Sequence, residues 1–325
     1  MYYYLKRCGF QELGSVGEDG VVHRGRYLLT TMDDRVLRIF PALSTTQKND
    51  AALLAVFPLY SGKKVYCNFV YHNDKFHHST ARHPRNEYRL YLNQELEEGR
   101  LLFEQGDIMI MRQAQIEEED GPQIVYVMDL VKPSAGAFYA ECSQIIEDSP
   151  LPKNYRIYEG DLAAFEEQVR SLPNAGETEV AIDRTVMRQI SAIDPSAVAR
   201  LFSASSFRDF VLVGYNYRCG ITGMVIRSGA YNNLEAAHIR PKSHGGSFLP
   251  SNGIAMCRDL HWAFDKGFFT FSDDLKVIVH PQADSDYLRQ FDGQSLRAPD
   301  NVFFAPDPEQ IQYHREHIYG IFTRN

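Results

Sequence analysis

The apolar and polar positions of this chain follow two regimes. Through roughly the first 130 residues, short runs of β-branched and aromatic residues alternate with Gly, Asn and Asp turn signals. Residues 27–31, 51–60, 64–71, 87–92, 107–112 and 123–130 each predict a strand. Many short strands with turns between them argue for a barrel or a sandwich. Past KPSAGAF and SPLPKN, which read as turns or linker, the period lengthens. Residues 161–172 and 184–193 predict helices, Asp194-Pro195 opens another reaching Phe202, and 309–322 predicts a closing helix. Between them, His238 sits in an alternating apolar segment, a strand that runs into a loop at Pro241 and a Gly245-Gly246 turn. Ser251-Asn252 then opens an amphipathic stretch with Ile254, Met256, Cys257, Leu260 and Phe264 on one side, a helix pattern.

Chemistry enters at this second pattern. His261 and Asp265 are four apart, so on a helix they share a face and can hold one divalent ion. An imidazole on the preceding strand, His238, supplies what phosphodiester hydrolysis needs beside such an ion: a base to take a proton from water. Taken singly, His261 and Asp265 are equally readable as an ordinary polar helix face. Arg240, Lys242 and Arg258 read as phosphate contacts or as surface charge, and His244 as a loop residue near the phosphate. Trp262 and Phe264 read as core packing, and His314 and His317 as packing or surface residues.

The run LEAAHIRPKSHGGSFLPSNGIAMCRDLHWAFDKG resembles the HNH, or ββα-metal, nuclease superfamily, from the CGITG at 219–223 through the SDDLKVIV at 272–279. The resemblance implies that His238 is the general base and that Asn252 fixes the loop and the base by hydrogen bonding. It makes His261 a catalytic-site metal ligand, with Asp265 as a second ligand one turn later. Many members carry an acid or histidine immediately before the base; here that residue is Ala237, and Glu235, two positions back on the strand, is the substitute candidate ligand. Few protein ligands suit Mg²⁺, with Mn²⁺ as a substitute. Some relatives hold a structural zinc with two C-x-x-C pairs; the matching places are Cys219 with Thr222 and Cys257 with Leu260, so no structural zinc is expected.

The first region carries a second resemblance. LRIFPALSTTQKND followed by VYHNDKF and RNEYRLYL looks like the DNA-recognition domain of EcoRII-type restriction enzymes, which has a B3-like pseudobarrel fold. The likeness places His23, Arg24 and Arg26 on one DNA-gripping arm and His83, Arg85, Asn86, Glu87 and Arg89 on the other. The residue types suit the task, since arginine pairs bidentately with guanine, asparagine with adenine, and glutamate accepts from cytosine. Lys48, in a polar loop, suits a phosphate. The alternative for RNEYR is a strand whose Arg and Glu pair with each other.

The formal net charge of −8 is unusual for a DNA-binding chain, but residues 116–183 hold 4 Lys+Arg against 15 Asp+Glu, so the acidity is local. The expected organisation is α+β and multidomain: a B3-like recognition domain over 1–135, an acidic helical connector over 136–204 and an HNH domain over 205–325. Five scattered cysteines, an opening MYYYLKRCGF without a long apolar run, and no stretch of membrane-spanning length predict a reduced, cytoplasmic protein. These readings converge on a site-specific double-strand DNA endonuclease, a type II restriction enzyme. Cutting both strands calls for a homodimer, and the class implies a cognate DNA methyltransferase. A modification-dependent or nicking enzyme is the first alternative; a DNA-binding regulator with an inactive nuclease domain is the second.

Overall fold

Alternation in the first region resolves into one large mixed sheet. Its strands are β1 (Tyr2–Arg7), β2 (Tyr27–Leu29), β3 (Ala51–Pro58), β4 (Lys64–His72), β5 (Glu87–Tyr91), β6 (Ile108–Glu118), β7 (Gly121–Val131), β8 (Tyr155–Glu159) and β9 (Val180–Ala181). This computed structural model describes residues 1–13, 27–29, 33–73, 87–91, 96, 103–118, 121–149, 154–171, 180–182, 186–187, 190, 198–228 and 231–322. The chain divides into two compact units, 1–193 and 194–325. Among the described residues no helix is long and apolar enough to cross a membrane.

In the first unit the strand order is β2-β5-β4-β3-β7-β6-β1-β8, with β9 pairing with β4. Most neighbours are antiparallel, but β3 and β7 run parallel, with Val56 opposite Tyr126. The longest pairing is the β6–β7 ladder, from Ile108 opposite Val131 to Glu118 opposite Gly121. Period-2 alternation sends Val65, Cys67, Phe69 and Tyr71 of β4 to one face, where they join Phe40, Tyr88 and Tyr126 in the core. The Phe40 ring stacks on Phe69 at 4.9 Å and on Tyr126 at 5.7 Å.

Helices of this unit include α1 (Phe10–Leu13), α2 (Ala137–Glu147) and α3 (Ala163–Arg170). A buried bidentate pair, Arg112 Nε and Nη2 to the two Glu166 oxygens at 2.7 Å each, ties α3 to the sheet, and the Tyr3 hydroxyl donates to the same carboxylate at 2.8 Å. Burial opposes ionisation of Glu166, but the bonds from Arg112 and Tyr3 prevail and hold it below the usual carboxylate range. Much of the acidic stretch read as a connector is thus sheet and helix of this unit: β8 pairs with β1 from Tyr2 opposite Glu159 to Lys6 opposite Tyr155.

The second unit is built from small pieces. It contains α4 (Ala204–Gly214), the hairpin β10 (Arg227–Ser228) and β11 (Tyr231–Asn232), and the pair β12 (Leu234–His238) and β13 (Gly253–Cys257). After these come α5 (Arg258–Asp265), β14 (Phe269–Phe271), β15 (Val277–Val279), α6 (Asp286–Arg289) and α7 (Pro308–His317). Ser203 and Ser206 form a capping box at the start of α4. The stretch after Asn252, expected to be one helix, is instead a strand followed by a helix. All five residues of β13 are buried, so both faces are apolar and the run carries no alternation to distinguish strand from helix. Helix α5 buries Leu260, Ala263 and Phe264; Trp262, expected in the core, lies 59% exposed and stacks on Phe268.

Candidate active site

Strands β12 and β13 pair antiparallel with His238 directly opposite Gly253, and α5 follows β13 without a break. This register explains the glycine. A Cβ at position 253 would lie 2.4 Å from Val211 Cγ2 and 2.8 Å from the Phe207 ring, so only glycine lets α4 approach this closely. Phe207 then stacks on the His238 imidazole, with centroids 4.1 Å apart and an interplanar angle of 22°, and Phe248 closes on the ring at 5.8 Å.

The result is an imidazole withdrawn from water. His238 Nε2 is buried without a hydrogen-bond partner among the described residues. Desolvation, with Lys242 and then His261 adding positive charge, pushes its pKa down to about 4, so the ring is neutral at pH 7.

Asn252 is buried and clips the loop that leaves β12. Its Oδ1 accepts from the Arg240 amide at 2.9 Å, and its Nδ2 donates to the carbonyls of Arg240 at 3.1 Å and Ser247 at 3.0 Å. The clip draws Gly246 so close that a Cβ there would meet the Arg240 carbonyl oxygen at 1.9 Å.

His261 stands between two carboxylates. Its Nδ1 lies 2.7 Å from Glu235 Oε2, and its Nε2 lies 3.3 Å from Asp265 Oδ2. Glu235 Oε1 in turn accepts from Arg258 Nε at 3.1 Å. Partial burial raises the Asp265 pKa, opposed by His261 and Lys266 and reinforced by Glu235. With Nδ1–H donated to Glu235, a neutral ring turns its Nε2 lone pair toward a carboxylate oxygen. Two acceptors at that spacing are reconciled by a cation between them or by a proton on Nε2. The donor set therefore fits a divalent ion held by His261 and Asp265, with Glu235 orienting the ring as outer-shell carboxylates do. Glu235 meets the opposite ring nitrogen of His261 from Asp265. Among the described residues no group of three or more His, Cys, Asp or Glu side chains is placed to hold one ion together, so such an ion would keep several water or phosphate ligands.

Of the other candidates near the hairpin, Arg240 and Lys242 lie on the loop that Asn252 holds, while Arg258 is engaged by Glu235. Cys219 and Cys257 are buried free thiols, and desolvation and Cys219 push Cys257 up to about 11. Phe207, Phe248 and Tyr313, which surround these side chains, carry no local sequence signal of that role; Phe207 and Tyr313 act from distant helices, and Phe248 from the loop itself. In the first unit, His23, Arg24, Arg26, His83, Arg85 and Asn86 lie outside the described residues. Lys48 is exposed on the loop that Asn73 pins through the carbonyls of Thr45 and Gln47, at 3.3 and 2.9 Å. Arg89 is buried and donates its Nε to Glu87 Oε1 at 2.9 Å, so the two charged residues of β5 meet each other within the sheet.

Against known proteins, the model of the HNH endonuclease family matches residues 219–272, which comprise β10 to β14, the β12–β13 pair and α5 among them. No curated protein matches the chain. One solved structure with similarity is a "Modification dependent TagI restriction endonuclease", at 19% identity and a TM-score of 0.29, covering 76% of this chain. The matched part is 60% of that protein's length.

Proposed function

We propose that this chain is a divalent-metal-dependent, site-specific DNA endonuclease, with a B3-like pseudobarrel in the first unit reading duplex DNA and a ββα-metal site in the second cutting it. The observation that carries the reading is His238: a neutral imidazole whose buried Nε2 has no hydrogen-bond partner among the described residues, at the end of a strand whose neighbouring helix offers His261 and Asp265. The HNH match over 219–272 supports nuclease chemistry at this place in the chain.

In this mechanism His238 takes a proton from water, and Asn252 holds the base's loop so that the ring stays aimed. Entry of an anionic phosphate raises the His238 pKa from its low resting value toward neutrality, which strengthens it as a base when substrate is present. His261 and Asp265 would hold a divalent ion, Mg²⁺ by preference and Mn²⁺ as substitute, which would supply positive charge to the phosphate and the leaving 3′ oxygen. Cleavage leaves 5′-phosphate and 3′-hydroxyl ends. One such site cuts one strand, so we assign the active form as a homodimer working in the cytoplasm beside a protective DNA methyltransferase.

The test is incubation of the purified chain and Mg²⁺ with unmethylated and with methylated DNA, followed by sequencing of the ends. Fragments of unmethylated DNA ending at one short motif establish the type II reading. Cutting of methylated DNA alone establishes a modification-dependent enzyme. No cutting of either, with DNA binding intact, replaces both with a DNA-binding regulator.

A further inference from the structure

Two cations follow His238 on the loop, and each lies over an aromatic ring. Arg240 Cζ is 4.1 Å from the centroid of Tyr313, and Lys242 Nζ is 3.6 Å from that of Phe248. Neither forms an ion pair among the described residues, whereas Arg258 at the start of α5 is paired with Glu235. An aromatic face holds a cation in place without cancelling its charge. Arg240 gives its Nε to the His244 carbonyl at 2.8 Å, which leaves the two terminal nitrogens of the fork as donors.

Tyr313 is itself fixed. It belongs to α7, outside the span of the family match. The adjacent residue, His314, anchors the helix: its ring stacks on Phe264 at 3.8 Å, accepts from or donates to the Thr270 hydroxyl at 3.0 Å and meets the Phe264 carbonyl at 3.2 Å. Tyr313 then stacks on His317, 4.2 Å between centroids and 7° from parallel, and its hydroxyl meets His244 Nδ1 at 3.2 Å. Ring, hydroxyl and guanidinium all converge on the loop that begins at His238.

We infer that α7 is part of the DNA-binding site: Tyr313 is a positioning residue that holds Arg240 so that Arg240 and Lys242 clamp a backbone phosphate beside His238. The inference rests on the endonuclease reading and adds to it a role for a helix outside the matched domain. A clamp on phosphate makes a specific demand, because each phosphate neutralised releases counterions and steepens the fall of affinity with salt.

The experiment measures binding of a labelled DNA duplex by the full chain in EDTA, across roughly 50 to 200 mM NaCl. Arg240→Ala and Tyr313→Leu are each expected to lower the slope of log K against log salt by about 0.9, the share of one phosphate. The double variant should show no further loss, and Tyr313→Phe, which keeps the ring, should keep the wild-type slope. Wild-type slope in Tyr313→Leu, or additive losses in the double variant, would overturn the clamp while leaving the nuclease reading intact. Absence of salt-dependent DNA binding by the wild-type chain would overturn both. A merely structural role for Tyr313 lowers the melting temperature without moving the slope.

Discussion

In the first unit the Arg112 guanidinium meets both oxygens of Glu166 and Tyr3 completes the triad. In the second, His238 Nε2 is equally withdrawn from water and meets nothing among the described residues. Leaving a buried polar group unpaired costs about 1–3 kcal/mol, while a satisfied buried pair fixes one arrangement of the elements it joins. The contrast separates scaffold from site. The large sheet consumes its buried charges internally, Arg112 with Glu166 and Arg89 with Glu87. The β12–β13 hairpin instead leaves a base and two ring-mounted cations with unused capacity for a ligand.

The largest effect that sharpens this comparison is expected for His238→Ala. Removing the base should lower the cleavage rate by about 10²–10⁴-fold while duplex binding persists, read by plasmid nicking beside a gel-shift assay. Cleavage at the wild-type rate would move the active site elsewhere. Arg112→Ala should do the reverse. It strands a buried carboxylate and is expected to cost about 3–5 kcal/mol of stability in denaturant melts, with the cleavage chemistry of the folded fraction unchanged.

Acid probes both buried histidines in the second unit. Burial pushes His238 and His314 down to about 4, below their ordinary 6.5. Between those values the unfolded chain binds protons that the folded chain refuses, so their contribution to stability is whole above 6.5 and is lost as pH falls toward 4. The slope is about 1.4 kcal/mol per pH unit for each ring. Urea melts from neutral pH into that window should show the loss, and His314→Asn should flatten it; a midpoint insensitive to acid would refute the buried-neutral assignment. The smallest effect is expected for Glu235→Ala, which frees the His261 ring. A loss of about 10–100-fold in metal affinity, measured by Mn²⁺ titration, fits an orienting carboxylate. No change would make the 2.7 Å contact with His261 incidental.

Much of the first sheet is legible in sequence because its strands are runs of β-branched and aromatic residues set between turn signals: β3, β4, β5 and β7 fall within a few residues of the runs read from the pattern. The residues of β1 and β8 gave no such signal. Tyr2, Tyr3 and Tyr4 are all large, so the alternation is invisible, and β8 is embedded in a stretch whose acidity reads as solvated surface. Helix α2 was hidden in the same way behind the KPSAGAF turn. At the site, the motif residues His238, Asn252, His261 and Asp265 are legible because β12, β13 and α5 are nearly contiguous. Their ring partners are not. Phe207 precedes the hairpin on α4 and Tyr313 follows it on α7, and nothing in local periodicity says that either returns to His238 or Arg240. Glu235 was legible as a carboxylate near the site, but which nitrogen of His261 it meets required the register of β12 against β13.

The position of β1 has a consequence for synthesis. It pairs on one side with β6 and on the other with β8, both of which leave the ribosome long after it. At roughly 5–20 residues per second, the wait from the end of β1 to the end of β8 is about 8–30 s, during which an aromatic strand keeps at least one unpaired edge. Lys6 and Arg7 end that strand and discourage it from pairing with a neighbouring chain. The same topology determines where the gene can be cut. A fragment ending at residue 135 would never receive β8, and an expressible first unit runs past Glu159.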